Sequence, residues 1–156
     1  MAKRHKSLVL LARDHHEGLL LALRVQQGKK ALLRLWSHNP RWQASYVAEF
    51  YDKHLRRHFE AEEKALFPLA STIAACRPLV NELTLEHRTM EEYVDRFRNP
   101  AANALAKDLR SFGALLEEHI RKEDRVLFPA FEEHASEEML QKAEAAMGGF
   151  YPRRSS

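Results

Sequence analysis

Apolar side chains recur along this chain every three or four positions and nowhere in a sustained strict alternation, so helices are predicted throughout. In the first periodic stretch Leu8, Leu11, Leu19, Ala22 and Leu23 form a stripe that also contains His15. In the second the stripe is Phe50, Leu55, Phe59 and Leu66, with His58 and Glu62 along its edge. The third offers Val80, Leu83, His87, Met90, Val94 and Phe97. The fourth offers Leu105, Leu109, Phe112, Leu116, His119, Leu127 and Phe128, with Glu123 one turn beyond His119. Every stripe therefore carries a histidine on or beside the face that should be buried.

Prolines and capping residues bound these stretches. Asn39-Pro40 and Asn99-Pro100 each read as a cap followed by proline at the first helical position. Pro68 and Pro129 read as the ends of long helices, because proline in a helix interior loses a hydrogen bond and clashes with the preceding turn. Pro78 sits near the start of another. Helices are predicted over residues 8–35, 40–67, 74–98 and 101–128, followed by a shorter one capped by Ser136, with Glu137 and Glu138 in its first turn. Short connections favour antiparallel neighbours. The expected fold is all-α, an up-and-down four-helix bundle with a short C-terminal helix, forming one domain over residues 1–156.

Composition narrows the class without changing that picture. A hydrophobic share of 45% suits a folded globular chain. The longest apolar runs are too short to span a bilayer, and no apolar leader follows Lys3, Arg4 and Lys6, so neither a membrane partner nor a secretory segment is expected. The single cysteine, Cys76, excludes an internal disulfide and fits a reducing cytoplasm. Basic groups outnumber acidic ones early in the chain, but no nucleic-acid recognition motif accompanies them, and solvated helix faces account for them. No nucleophile triad, phosphate-cradling glycine loop or nucleotide motif occurs, and Gly148-Gly149 reads as a turn.

The nine histidines carry the chemistry. Residues 58–68 read His-Phe-Glu-Ala-Glu-Glu-Lys-Ala-Leu-Phe-Pro, and residues 119–129 read His-Ile-Arg-Lys-Glu-Asp-Arg-Val-Leu-Phe-Pro. Both are H-x-x-x-E, an acid, a base, any residue, then L-F-P. Asp14-His15 and Glu86-His87 echo each other more weakly. A two-helix unit has been used twice, and two copies packed with approximate two-fold symmetry bring four such faces together. Residues four apart share one helix face, so the imidazole and carboxylate of each element can reach a common centre. Taken singly, a core histidine is more often a hydrogen-bonded structural group, and a His-Glu pair can be a surface contact of small value. The repeated composite outweighs those readings, because several ionisable groups buried without a cation are costly. Bundle cores hold pairs of iron or manganese ions in this way, mixed imidazole and carboxylate suits iron, and the lack of a cysteine cluster argues against thiolate zinc or an iron–sulfur centre.

From Asp14-His15-His16-Glu17 to the L-F-P of the fourth helix, the chain closely resembles the hemerythrin-like, or HHE cation-binding, family. The resemblance implies a four-helix bundle around two non-haem iron ions, bridged by carboxylates and in some states by an oxo or hydroxo group. Carried over by position, it makes His15 and His58 ligands of one iron and His87 and His119 ligands of the other, with Glu62 and Glu123 bridging. The chain departs from the oxygen carriers of that family. The positions four before and four after His87 are Leu83 and Glu91 where the carriers have a second histidine, and His119 to Glu123 replaces a longer histidine-to-aspartate spacing. It is a better match to bacterial-type and iron-sensing members, with Glu91 or water filling the extra place. His16 points about 100 degrees away from His15 around the helix. His15 is preferred because Asp14-His15 parallels Glu86-His87. His54, one turn before His58, stays open as an outer donor or extra ligand, and His5, His38 and His134 read as solvent-facing.

The leading expectation is a non-enzymatic di-iron protein that binds oxygen, or senses oxygen or iron, with a small gaseous or oxidant ligand as its partner. Its rival is a di-iron enzyme acting on peroxide or nitric oxide. A metal-free helical interaction module is the third reading, and it predicts that the six side chains do not converge. A water-filled pocket with a proton-donating tyrosine or carboxylate favours the enzyme, and a sealed apolar pocket favours binding. A protein partner or homodimer can receive a signal through the tail from Ala130 to Ser156, although packing of that tail across one end of the bundle is the preferred reading.

Overall fold

The computed structural model describes residues 3–27, 36–100 and 104–152. Among these, every regular element is helical. Helix α1 is Val9–Gln27. Helix α2 covers 40–70 and is not uniform: Pro40–Phe50 and Arg56–Ala61 are α-helical, separated by a wide π turn at Tyr51–Leu55, and a second π turn at Glu62–Leu66 precedes Phe67–Ala70. Helix α3 is Arg77–Arg98. Helix α4 covers 105–134, with a π turn at Glu123–Leu127 between Leu105–Lys122 and Phe128–His134. Helix α5 is Glu137–Met147. The predicted end of the first helix, 28–35, and the predicted start of the fourth, 101–103, lie outside the described residues.

Local signals hold at two helix starts. The Asn39 side chain accepts from the Arg41 N–H at 2.9 Å with Pro40 beginning α2, and Ser136 Oγ accepts from the Met139 N–H at 3.2 Å to open α5. Asn99-Pro100 does not behave as predicted. Asn99 instead closes α3, with φ −131° and ψ 70°, and α4 begins only at Leu105. Nor do Pro68 and Pro129 end their helices, which run on to Ala70 and His134. The reason is the π turn before each proline: the Phe67 N–H reaches back five residues to Glu62, and the Phe128 N–H to Glu123. The widened turn changes the register of the ladder where proline has no N–H to give, so the helix absorbs the residue that should have broken it.

The apolar core has two parts. One cluster gathers Leu21, Ala22 and Val25 of α1 with Phe59, Met90, Val94, Phe97, Phe112, Leu116 and Ile120. The other gathers Leu8, Leu11, Leu66, Phe67, Val80, Leu83, Leu127, Phe128 and Phe131, with Leu140, Ala143 and Met147 of α5 closing it. Leu23, predicted in the α1 stripe, is 38% exposed, while Leu21 and Val25 are buried. The buried face of α1 therefore lies to one side of the stripe inferred from leucine spacing alone. No described helix is long and apolar enough to cross a membrane.

Helices α1 and α4 pack closely because glycine lies at their crossing. A Cβ added to Gly113 would fall 2.6 Å from Val25 Cγ2 and 2.7 Å from the Ala22 carbonyl oxygen. The second contact is backbone and cannot rotate away. Gly113→Ala is therefore expected to lose about 1–3 kcal/mol through overpacking, despite alanine's better helix propensity. Urea unfolding measures it, and an unchanged or raised midpoint would show that the helices can separate freely.

Candidate metal centre

Between the two apolar clusters lies a layer that is entirely polar. His15 of α1, His58 and Glu62 of α2, His87 of α3, and His119 and Glu123 of α4 all turn inward, and none is more than 3% exposed. Their donor atoms fall into two groups that share Glu62. His15, His58, Glu62 and Glu123 each offer an atom within 4.8 Å of the others, and Glu62, His87 and His119 do the same. The structure thus brings together all six side chains that the sequence singled out. Several other histidines stay outside. His16 and His54 are exposed, with His54 resting on Phe50 at 5.0 Å between ring centres. Glu91 is engaged by Arg88 at 2.7 Å. His38 and His134 are exposed as expected, but His5 is half-buried, its Nδ1 2.9 Å from Ser7 Oγ.

Each inward histidine is held from behind by a carboxylate on its Nδ1. His58 meets Asp14 at 3.1 Å and His119 meets Glu86 at 2.9 Å. His15 meets Asp124 at 2.7 Å and His87 meets Glu63 at 2.9 Å. The pattern explains two further positions of the duplicated motif. The acid after each inward glutamate, Glu63 or Asp124, reaches across to the histidine of the opposite two-helix unit. The phenylalanine of L-F-P lies against that same ring: Phe128 stacks on His15 at 5.4 Å, and Phe67 on His87 at 5.6 Å. The acid that precedes each histidine on α1 and α3 holds the histidine of the next helix. These four outer acids escaped the sequence reading as functional groups, although their signal was present: an acid stands beside a histidine or glutamate at both copies of each element.

Those contacts decide the chemistry of the inner face. A neutral imidazole has one N–H, and with Nδ1–H donating to a carboxylate its Nε2 presents a lone pair. His87 Nε2 and His119 Nε2 face each other at 3.2 Å. His87 Nε2 lies 3.0 Å from one Glu62 oxygen, and His119 Nε2 lies 2.9 Å from a Glu123 oxygen. His15 Nε2 and all four carboxylate oxygens of Glu62 and Glu123 are fully buried without a properly aligned hydrogen bond. A layer made of lone pairs repels itself unless positive charge enters it. Imidazole and carboxylate donors in this number, turned to common points, fit divalent transition-metal ions.

Titration behaviour points the same way. Burial pulls His58 down, yet the adjacent Glu62 charge and the hydrogen bond to Asp14 override it and push the ring up to about 10. Burial also opposes protonation of His87 and His119, and again the surrounding carboxylates win and raise both. Glu62, although burial disfavours its charge, is held well below the usual carboxylate range by His58, His119 and His87. Glu123 is raised, by its own burial and by the nearby Glu62 charge. Two carboxylates side by side in a dry interior cannot both ionise freely without a cation.

Small features of the fold keep the layer compact. Two of the three described π turns begin at Glu62 and at Glu123, the same position in each copy, and such turns concentrate at functional sites. Gly18 allows α1 to approach α4 beside His15, since a Cβ there would sit 2.9 Å from Ile120 Cδ1. A cavity of about 10 Å³ adjoins the layer, lined by His15, Gly18, Leu55, His58, Phe59 and His119 among others.

Comparison with known proteins agrees with this geometry. Neither a curated protein nor a solved structure matches the chain. Residues 7–131 match the family model described as the hemerythrin HHE cation binding domain. That span includes all six inward side chains and the four acids behind them. A buried histidine and glutamate layer able to hold cations, within a match over most of the sequence, places the chain in the hemerythrin HHE cation-binding family.

Proposed function

We propose that the chain holds two non-haem iron ions and binds oxygen, or senses oxygen or iron, through them. His15 and His58 belong to one ion, His87 and His119 to the other, and Glu62 and Glu123 to both. The observation that carries this reading is the convergence of six buried imidazole and carboxylate side chains into two groups of donor atoms that share Glu62. On the same reading the chain is one domain, with the four long helices in up-and-down order and α5 packed across one end.

A reduced iron pair supplies electrons that a small oxidant can share and return. The protein's own part is to fix the donors and restrict access. Asp14, Glu63, Glu86 and Asp124 lock the tautomer and tilt of the four rings. Phe59 lies over His87 at 3.9 Å between ring centres and closes the layer towards the first apolar cluster. The cavity beside His15 and His58 is small, about 10 Å³, with mostly apolar walls, and a wider groove of about 440 Å³ runs past the outer side of Asp14 and His58. Asp14, the one carboxylate lining the small cavity, is already engaged by His58 and by the Tyr151 hydroxyl. A tight cavity whose acid is occupied supports binding over turnover.

Absorption spectroscopy of iron-loaded protein, with iron counted per chain, tests the proposal. Two irons per chain and bands that appear with air and vanish on degassing are expected. Irreversible bleaching, or steady consumption of added peroxide, would instead establish the enzyme.

A further inference from the structure

The two halves of the layer are supported differently, and the difference lies beyond the family match. Glu86, which holds His119, receives the Lys122 ammonium from the residue just before Glu123. The position just before Glu62 is Ala61, so the first copy has no such lysine. Asp14, the counterpart of Glu86, is met by the hydroxyl of Tyr151, which donates to the carboxylate oxygen that also accepts from His58. Tyr151 comes from the C-terminal segment, outside residues 7–131.

That segment is built to deliver it. Helix α5 buries Leu140, Ala143 and Met147 and packs against the π turn that begins at Glu62. The chain then turns, with the N–H groups of Phe150 and Tyr151 both donating to the Met147 carbonyl, at 3.0 and 3.2 Å. The Arg57 guanidinium, next in sequence to His58, sits 4.7 Å from the centre of the Tyr151 ring and fixes it from the other side.

We propose that Tyr151 is a positioning residue for the metal centre: through Asp14 it sets the orientation of His58 and so the retention of the ion held by His15 and His58. The C-terminal segment thus acts as a latch on one ion of the pair and not on the other. The latch rests on the metal-pair reading above. Partners one layer behind a ligand typically tune metal affinity about 10- to 100-fold, and Tyr151 acts one step further out.

The test is anaerobic release of iron(II) from the loaded protein, residues 1–156, to an excess of a coloured chelator. Tyr151→Phe removes one hydroxyl and keeps the ring over Arg57. One of two release phases is expected to quicken roughly 3- to 10-fold, the other to stay as in the wild type, and the metal-free melting temperature to stay unchanged. Tyr46→Phe, the same deletion far from the centre, should change neither phase. Asp14→Asn should quicken the same phase, and adding Tyr151→Phe to it should have no further effect. Wild-type release kinetics in Tyr151→Phe would overturn the latch alone. So would equal quickening of both phases with a lower metal-free melting temperature, or additive effects with Asp14→Asn. A wild-type chain that takes up fewer than two ions would defeat the metal-pair reading and the latch with it.

Discussion

Protein carrying Glu62→Ala is expected to emerge from iron loading and gel filtration with essentially no iron, although its helices remain. Among the described residues, Glu62 is the side chain that appears in both groups of converging donor atoms. It is fully buried, and its two oxygens face different rings, one towards His58 and the other 3.0 Å from His87 Nε2. On the proposed assignment its loss would remove a donor from each ion and the negative charge that balances both. An outer partner such as Glu63 stands behind one ring only, at 2.9 Å from His87 Nδ1. Glu63→Gln should therefore weaken one ion by about 10- to 100-fold, while Glu62→Ala should exceed that for both. Glu62→Gln separates charge from shape, because it keeps the volume but offers a single oxygen acceptor and no charge. It is expected to fail almost as completely. His119→Ala should lose at least the ion at His87 and His119. Colorimetric iron per chain gives the answer, with circular dichroism to show that the fold persists. Unchanged stoichiometry in both Glu62→Ala and His119→Ala would sink the ligand assignment.

What could be read in advance about this centre, and what could not, follows the range of the forces involved. The cap at Asn39 and the cap at Ser136 are contacts between residues two or three apart, and both were legible. So were His58 with Glu62 and His119 with Glu123, because a spacing of four puts a pair on one helix face and its repetition excluded chance. The crossing of acids was not legible. That Asp124 serves His15 and Glu63 serves His87 depends on which helices end up adjacent, and no local rule states this. Proline misled for a related reason. A lone helix breaks at Pro68 or Pro129, but here a π turn at each glutamate absorbs the missing N–H, and packing on both sides holds that turn in place. Leu23 was misplaced because leucine spacing fits two overlapping stripes on α1, and only the partner helix chooses between them. Tyr151 lies too far along the chain from Asp14 for any periodic pattern to connect them.

Removal of metal is expected to cost more stability than any single core substitution on the molecule, and to reverse the sign of its pH dependence. The polar layer interrupts the core between two apolar clusters, so the loaded protein gains wherever an ion satisfies it. An ion at a free concentration of about 1,000 times its dissociation constant adds about 4 kcal/mol. For a domain of this size that amounts to roughly 8–16 °C in melting temperature per ion. The pH dependence separates the two forms. In the metal-free protein His58 is raised from 6.5 to about 10, chiefly by Glu62 and Asp14 against the pull of burial. A raised folded-state value means that the protonated ring favours the fold. This contribution is complete below about pH 6.5 and declines as pH rises towards 10. His87 and His119, also raised, add to that alkaline loss. In the loaded protein protons compete with metal for the same nitrogens, so stability should climb as pH rises from about 5 to 7 and protons are expelled. Melting curves with and without chelator across pH 5 to 10 should therefore diverge on the alkaline side, with the loaded form above. Parallel curves at every pH would show that the six inward side chains hold the fold together as hydrogen-bonded pairs and that no cation joins them.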